Sequence, residues 1–188
     1  MRRLLIFLLC LSCFPNLKAE NTEVSICYNY GCARQETVTF DESLMKRMKA
    51  WLFEALDAEA ERDALARVVG ELYREAGRQT PISTDRGGNI EDDSVDGRMD
   101  CIDHSTTTTR MLRMLETHNA LRFHRVGEPV KRVRFLLMPH ASAMIEEFPP
   151  LPGSASSRFA VDSWFYDNGE PALILPLPHW LNGGGPNV

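Results

Sequence analysis

The sequence predicts an α+β domain on three observations. Apolar residues recur at helical spacing between residues 44 and 76 and again from residue 101. Period-two alternation replaces that spacing after residue 130, and an Asn168-Gly169 pair joins two apolar runs near the C-terminus. Helices first and an antiparallel sheet afterwards is the order of an α+β domain.

The chain opens with Met1-Arg2-Arg3, followed by an eleven-residue, mostly apolar run from Leu4 to Phe14. A short basic stretch before a short apolar one is the pattern of an export leader. The run is too short to span a bilayer, which takes about 20 residues. Cleavage is expected after Ala19, leaving residues 20–188 as a single domain with its core between about residues 40 and 180, located in the periplasm or secreted. No integral membrane span is expected beyond the leader. The leader carries Arg2, Arg3 and Lys18 and no acid, so a whole-chain charge of −5 becomes −8 over residues 20–188. A domain this acidic is a poor candidate for general nucleic-acid binding, where a basic face is expected.

Residues 20–38 are polar and read as an irregular loop tied by Cys27 and Cys32, which lie five apart around Asn29 and Gly31. In an oxidising compartment the pair is expected to form a disulfide, contributing about 2 kcal/mol on the chain-entropy model. A metal held by the pair is disfavoured because no second ligand pair accompanies it. Thr39-Phe40-Asp41-Glu42 reads as a capping box before a helix over residues 41–56, with Leu44, Met45, Met48, Trp51, Leu52, Ala55 and Leu56 on one face. A second helix carries Leu65, Val68, Val69, Leu72, Tyr73 and Ala76 and is expected to stop at Gly77. Residues 78–99 lose periodicity and form a long acidic loop, of a length that is often functional. Its acids, from Glu91 to Asp96, offer calcium ligands without the regular spacing of an EF-hand loop.

A third helix is expected from Cys101 to about His118. The threonines at 106–109 are poor helix formers, so tertiary packing must hold it. Val133, Phe135 and Leu137 alternate as a strand, and Ala141, Ala143 and Ile145 alternate after Pro139 as its continuation. Residues 159–165 and 172–175 supply two more strands. The basic series Arg122, Arg125, Lys131, Arg132 and Arg134 reads as a solvated sheet face, and the glycines at 183–185 as a loose tail.

Pairing Cys27 with Cys32 leaves Cys101 without a partner. An unpaired thiol in an exported chain is buried, bonded to another chain, or chemically used. At a helix N-terminus the free backbone N–H groups favour a thiolate, and the same amides can hold an oxyanion. His140 heads a later strand as candidate base toward Cys101, and Asp162, on the next strand, can fix the far imidazole nitrogen. His104, one helical turn past Cys101, is an alternative base with poor geometry for it. His118, His124 and His179 read as surface residues. Asp103 lies within one turn of the thiol and opposes its ionisation unless turned away or neutralised.

Asp100-Cys101-Ile102-Asp103-His104 resembles the Asp-Cys-x-Asp-aromatic motif of the bacterial transglutaminase-like cysteine proteinases, with His104 in the aromatic place. His140-Ala141 and Val161-Asp162-Ser163-Trp164 resemble the His and Asp motifs of the transglutaminase-like superfamily. The resemblance covers residues 95 to 168 in three pieces. It implies a papain-like core with a catalytic triad of Cys101, His140 and Asp162. It also implies thiol chemistry on peptide or amide bonds, a protein or peptide as substrate, and no required cofactor. For some exported members it implies calcium, here through Asp100 and Asp103. Acyl transfer to an amine uses the same residues. The expected function is therefore an exported thiol hydrolase, and the alternative is a non-catalytic module of the same fold that binds a protein partner.

Overall fold

The structure is a computed structural model describing residues 21–134, 138–149 and 157–186; the segment expected to be a leader and the strand positions Phe135 and Leu137 lie outside the described residues. The fold is α+β, with antiparallel sheets and helices packed against them. Among the described residues no helix is long and apolar enough to cross a membrane.

The first element corrects the sequence expectation of a loop. Strands β1 (Thr22–Tyr28) and β2 (Arg34–Phe40) form an antiparallel hairpin in which Val24 faces Val38 and Cys27 faces Gln35. Val24, Ile26, Tyr28, Val38 and Phe40 are buried on one face, so a period-two pattern hides among polar neighbours. The Cys27–Cys32 disulfide closes the hairpin's end.

Helix α1 (Glu42–Phe53) is capped by Asp41, whose carboxylate accepts the Leu44 N–H at 2.7 Å; Thr39 lies in β2 instead. The helix ends before Leu56, which is 87% exposed, because Asp57 at once caps α2 (Ala58–Gln79) through Ala60 N–H. α2 does not stop at Gly77. That glycine is internal, and a Cβ there would lie 3.2 Å from the Ser83 backbone. The helix ends at Thr80, before a single 3-10 turn over Pro81–Thr84.

Helix α3 (Cys101–Thr117) is central, packing on β1 and on the main sheet. That sheet comprises β3 (His124–Val126), β4 (Val130–Arg134), β5 (Met138–Glu147), β6 (Arg158–Asp162) and β7 (Leu173–Pro176), before a short helix α4 (Leu177–Leu181). β3 and β4 follow one another along one edge of β5, and β6 then β7 pair on the other side. Residues 130–147 are thus two antiparallel strands, with Val133 opposite Pro139, rather than one extended strand. Pro139 lacks a donor but not an acceptor, so it is tolerated near the strand's start.

Val68, Leu72, Leu112, Leu115, Ala143, Ile145 and Val161 share one apolar core, each contributing on the order of 1–3 kcal/mol by burial. Ala160 turns to the opposite sheet face and packs with Leu177 and Trp180. Asp162, two residues along β6 from Ala160, shares that second face.

Two charge assignments are corrected as well. His124 is buried, with Nδ1 2.9 Å from Glu61 Oε1, and Glu61 also accepts the Arg122 and Phe123 N–H groups. Arg132 is buried rather than solvated, donating to the Trp180 and Gly184 carbonyls. The Gly184 contact, with Gly184 N–H donating to His179 O at 3.0 Å, holds the glycine tail against α4. Buried donors and acceptors of this kind must be paired, and here the chain's termini of α2 and α4 supply the partners.

Candidate active site

Cys101 is the first residue of α3, and the hairpin turn decides what surrounds it. Asp100 caps the helix, its Oδ1 accepting the Ile102 and Asp103 N–H groups at 3.0 and 2.9 Å. Asp103 Oδ2 accepts the Asp100 N–H at 3.2 Å, completing a capping box. Asn29, Tyr30, Gly31 and Cys32 are four successive left-handed residues with φ of 60 to 63°. This turn directs Gly31 N–H to Asp100 Oδ2 at 3.0 Å and Cys32 N–H to Asp103 Oδ1 at 2.5 Å.

Both carboxylates are therefore turned from the thiol into backbone N–H donors, which answers the expected conflict between Asp103 and a thiolate. Burial, followed by the charge of Asp100, pushes Asp103 up to about 6 against the opposing pull of these amides. All four carboxylate oxygens of Asp100 and Asp103 face N–H groups, so this donor set does not fit a calcium ion, which takes six to eight oxygens turned toward it. Asp103 also lies within 4.8 Å of both hairpin sulfurs, but these are joined to each other.

His140 and Asp162 come together as the strand order requires. β5 runs past the end of β6, so His140 stands beyond the last β6 pairing and its ring reaches back to Asp162. Nε2 lies 2.7 Å from Asp162 Oδ2. Cys101 is the other side chain acting on the imidazole, and with Nε2 committed to Asp162 the ring nitrogen left for it is Nδ1. The half-buried Cys101 sulfur also sits 4.0 Å from the Pro139 carbonyl oxygen. Cys101, His140 and Asp162 are thus brought into one neighbourhood from α3, β5 and β6, with His140 bonded to Asp162 and influenced by Cys101.

Asp162 is buried and held from two further sides. Trp180 Nε1 donates to Oδ2 at 2.7 Å, and Trp164 N–H donates to Oδ1 at 3.3 Å. The rings of Trp164, Phe165 and Trp180 surround His140 at centroid distances of 4.9, 5.4 and 5.6 Å. Burial works against the charged imidazolium, yet hydrogen bonds and charge from Asp162 and Cys101 outweigh it and push His140 up to about 9. A protonated imidazole beside the sulfur favours the thiolate form of a nucleophile.

His104 takes no part in this group. It is buried against Tyr73, with Nε2 2.9 Å from Asp85 Oδ2 and Nδ1 2.8 Å from Ser163 Oγ. Thr108 and Tyr73 close the network around Ser163 at 2.9 and 3.3 Å. Ser163 follows Asp162, so this buried cluster fastens the end of β6 to α3. The threonine run finds its reason here and at the hairpin, where Thr107 accepts the Cys27 N–H at 2.9 Å.

The long loop also serves the site. Gly88 N–H donates to the Trp164 carbonyl at 2.9 Å and Gly87 N–H to Asp167 at 3.0 Å. A Cβ at Gly87 would stand 2.4 Å from Phe165 O, so only glycine allows the loop to lie against the aromatic wall. Two of its acids are engaged within the protein: Asp92 accepts from Tyr30 at 2.6 Å and pairs with Arg98 at 2.9 Å, and Asp96 accepts from Asn29 at 2.9 Å. Trp180 and Asp85 carry no motif signal; Ser163 lies inside the Asp162 motif without a role assigned to it, and Gly87 shows only as part of a Gly87-Gly88 pair in the loop. Searches for similar proteins identify no relative: no protein-family model, no curated protein and no solved structure matches this chain.

Proposed function

We propose that this chain is a thiol hydrolase with a papain-like arrangement of helix and sheet, acting on peptide or amide bonds of a protein or peptide substrate. The observation that carries the proposal is the imidazole of His140, held between the Cys101 thiol and the buried Asp162 carboxylate. Three residues from three separate elements meet in the order nucleophile, base, orienting acid, which is the arrangement a thiol acyl-transfer centre needs.

In the reaction the Cys101 thiolate attacks the substrate carbonyl, forming a C–S bond and a tetrahedral oxyanion. The backbone N–H of Cys101, at the first position of α3, has no carbonyl one turn before it and is a natural oxyanion donor. The imidazolium gives its Nδ1 proton to the leaving amine, and the C–N bond breaks. His140 then takes a proton from water, whose oxygen attacks the thioester, and Cys101 departs as thiolate. An amine can replace that water, which makes acyl transfer the same chemistry with another acceptor. Asp162 holds the ring tautomer throughout, and acid–base assistance of this kind is worth about 10²–10⁴ in rate.

The leader-like N-terminus and the Cys27–Cys32 disulfide support a periplasmic or secreted enzyme. The test is hydrolysis of a panel of fluorogenic peptide amides, with mass spectrometry of the trapped acyl-enzyme. Turnover that disappears in Cys101→Ala and an acyl group on Cys101 are expected. A panel with no turnover and no acyl adduct on Cys101, in a protein that is folded, would overturn the hydrolase.

A further inference from the structure

We infer that the Cys27–Cys32 disulfide is a thiol–disulfide exchange site, opened by an external dithiol that attacks the Cys32 sulfur. The two sulfurs are not equivalent. Cys27 is fully buried on β1, whereas Cys32 is half-buried in the hairpin turn, so approach is open to one sulfur only. Attack there makes Cys27 the leaving group. Arg110, on α3, places its guanidinium nitrogen 3.3 Å from Cys27 Sγ, while also contacting the Ser25 carbonyl at 3.0 Å and Gln35 Oε1 at 3.1 Å. A cation on the departing sulfur lowers the basicity of that thiolate, and a less basic thiolate leaves faster. Asp103 lies within 4.8 Å of both sulfurs and so does not tell them apart; Arg110 alone directs the charge created by breaking the bond to Cys27.

The backbone supplies a second reason. Asn29, Tyr30 and Cys32 are non-glycine residues held at φ of 60 to 63°, a left-handed conformation that L side chains disfavour. Opening the bond lets this turn relax, which favours the reduced state.

The chemistry balances with one dithiol as reductant. Its thiolate forms a new S–S bond to Cys32, the Cys27–Cys32 bond breaks, and Cys27 leaves as a thiolate beside Arg110. The dithiol's second sulfur, after losing its proton to water, attacks its own sulfur in the mixed disulfide. Cys32 departs and takes a proton from water; the dithiol is oxidised to a cyclic disulfide and both cysteines are reduced. The same turn holds the caps of α3, through Gly31 and Cys32 N–H on Asp100 and Asp103. Its release uncovers carboxylate charge one residue from Cys101 and slows that thiol. This last coupling rests on the proposed role of Cys101, whereas the exchange itself does not.

The experiment uses the full chain carrying Cys101→Ser, so that no activity at residue 101 enters. The folded protein is treated with dithiothreitol and each cysteine is followed on its own peptide by alkylation and mass spectrometry, with circular dichroism recorded alongside. Cys27 and Cys32 are expected to become alkylatable while the fold persists. With glutathione, a monothiol, the mixed disulfide is expected on Cys32. Arg110→Gln is expected to slow opening roughly tenfold and Arg110→Lys to restore most of the rate. The inference is overturned by a bond that resists reduction until the protein unfolds, by glutathione captured on Cys27, or by a folded Arg110→Gln variant that opens at the parent rate. The glutathione mapping needs no Arg110 variant and decides the matter if Arg110→Gln does not fold.

Discussion

Trp180 donates its indole N–H to the same Asp162 oxygen that accepts from His140, so one buried carboxylate oxygen joins α4 to the candidate triad. The indole is fully buried and also packs with Ala160 and Leu177. Trp180→Phe keeps a ring in that space but removes the donor. It is expected to destabilise the protein by about 1–3 kcal/mol, the cost of leaving a buried polar group short of a partner. Thermal or urea unfolding checks this, and the rate of Cys101 alkylation should fall several-fold as Asp162 loses one of its fixings.

The second prediction concerns pH. His140 titrates near 9 in the fold against an ordinary value of 6.5. Because the folded value is raised, its contribution to stability is complete below pH 6.5 and is lost as pH rises through about 9. The same proton serves the leaving group, so kcat/KM for an amide substrate should fall on the alkaline side near pH 9. Asp162→Asn removes the largest cause that raises this group and should move that limb toward neutral pH. An unmoved limb would mean that some other group controls it. Iodoacetamide should modify Cys101 well below pH 8, and markedly more slowly in His140→Ala.

These features were unevenly legible in the sequence. Cys101, His140 and Asp162 could be named because the thiol had no partner to pair with and because each lies in a short stretch that resembles a known motif, in the expected chain order. The N-terminal hairpin was not legible, since Ser25, Thr37 and Thr39 alternate with its buried residues and hide a period of two in a polar average. His124, read as a surface residue, misled because a buried histidine is made tolerable by a partner far away in the chain, here Glu61; the partners that occupy His104, Asp85 and Ser163, are equally remote. Arg132 misled for the same reason, its partners being carbonyls of the last helix and the tail. Side-chain networks across long sequence separations leave no local pattern.

Comparing the two histidines of the site region gives a third prediction. His104 has both ring nitrogens occupied by Asp85 and Ser163, so it is a structural group and not the base for Cys101. His104→Gln should cost about 2 kcal/mol by disturbing a buried network, yet leave Cys101 alkylation within a few-fold of the parent rate. His140→Gln should cost at least as much stability near neutral pH, because it removes the raised titration, but should also slow alkylation far more. Equal losses of alkylation in two folded variants would contradict the assignment.

The last prediction tests the cap of α3. Asp103 has a folded value of about 6 against 3.8 in the unfolded chain, so the folded state binds more protons between these values. Stability contributed by this group therefore falls as pH rises from about 4 to about 6, opposite to the usual behaviour of a paired carboxylate. Asp103→Asn abolishes the titration and should flatten that part of the stability curve, measured as urea midpoint against pH. Asp100→Ala should lower stability by about 1–2 kcal/mol near neutral pH, because it removes the N-cap acceptor of α3, and should also lower the Asp103 titration by removing the neighbouring charge. Since the oxygens of both residues face backbone N–H groups, millimolar calcium should leave the melting temperature of the parent protein unchanged. A calcium-dependent rise that disappears in Asp100→Ala would show instead that the cap opens to bind the ion, giving up amide bonds from Gly31, Cys32 and the first turn of α3.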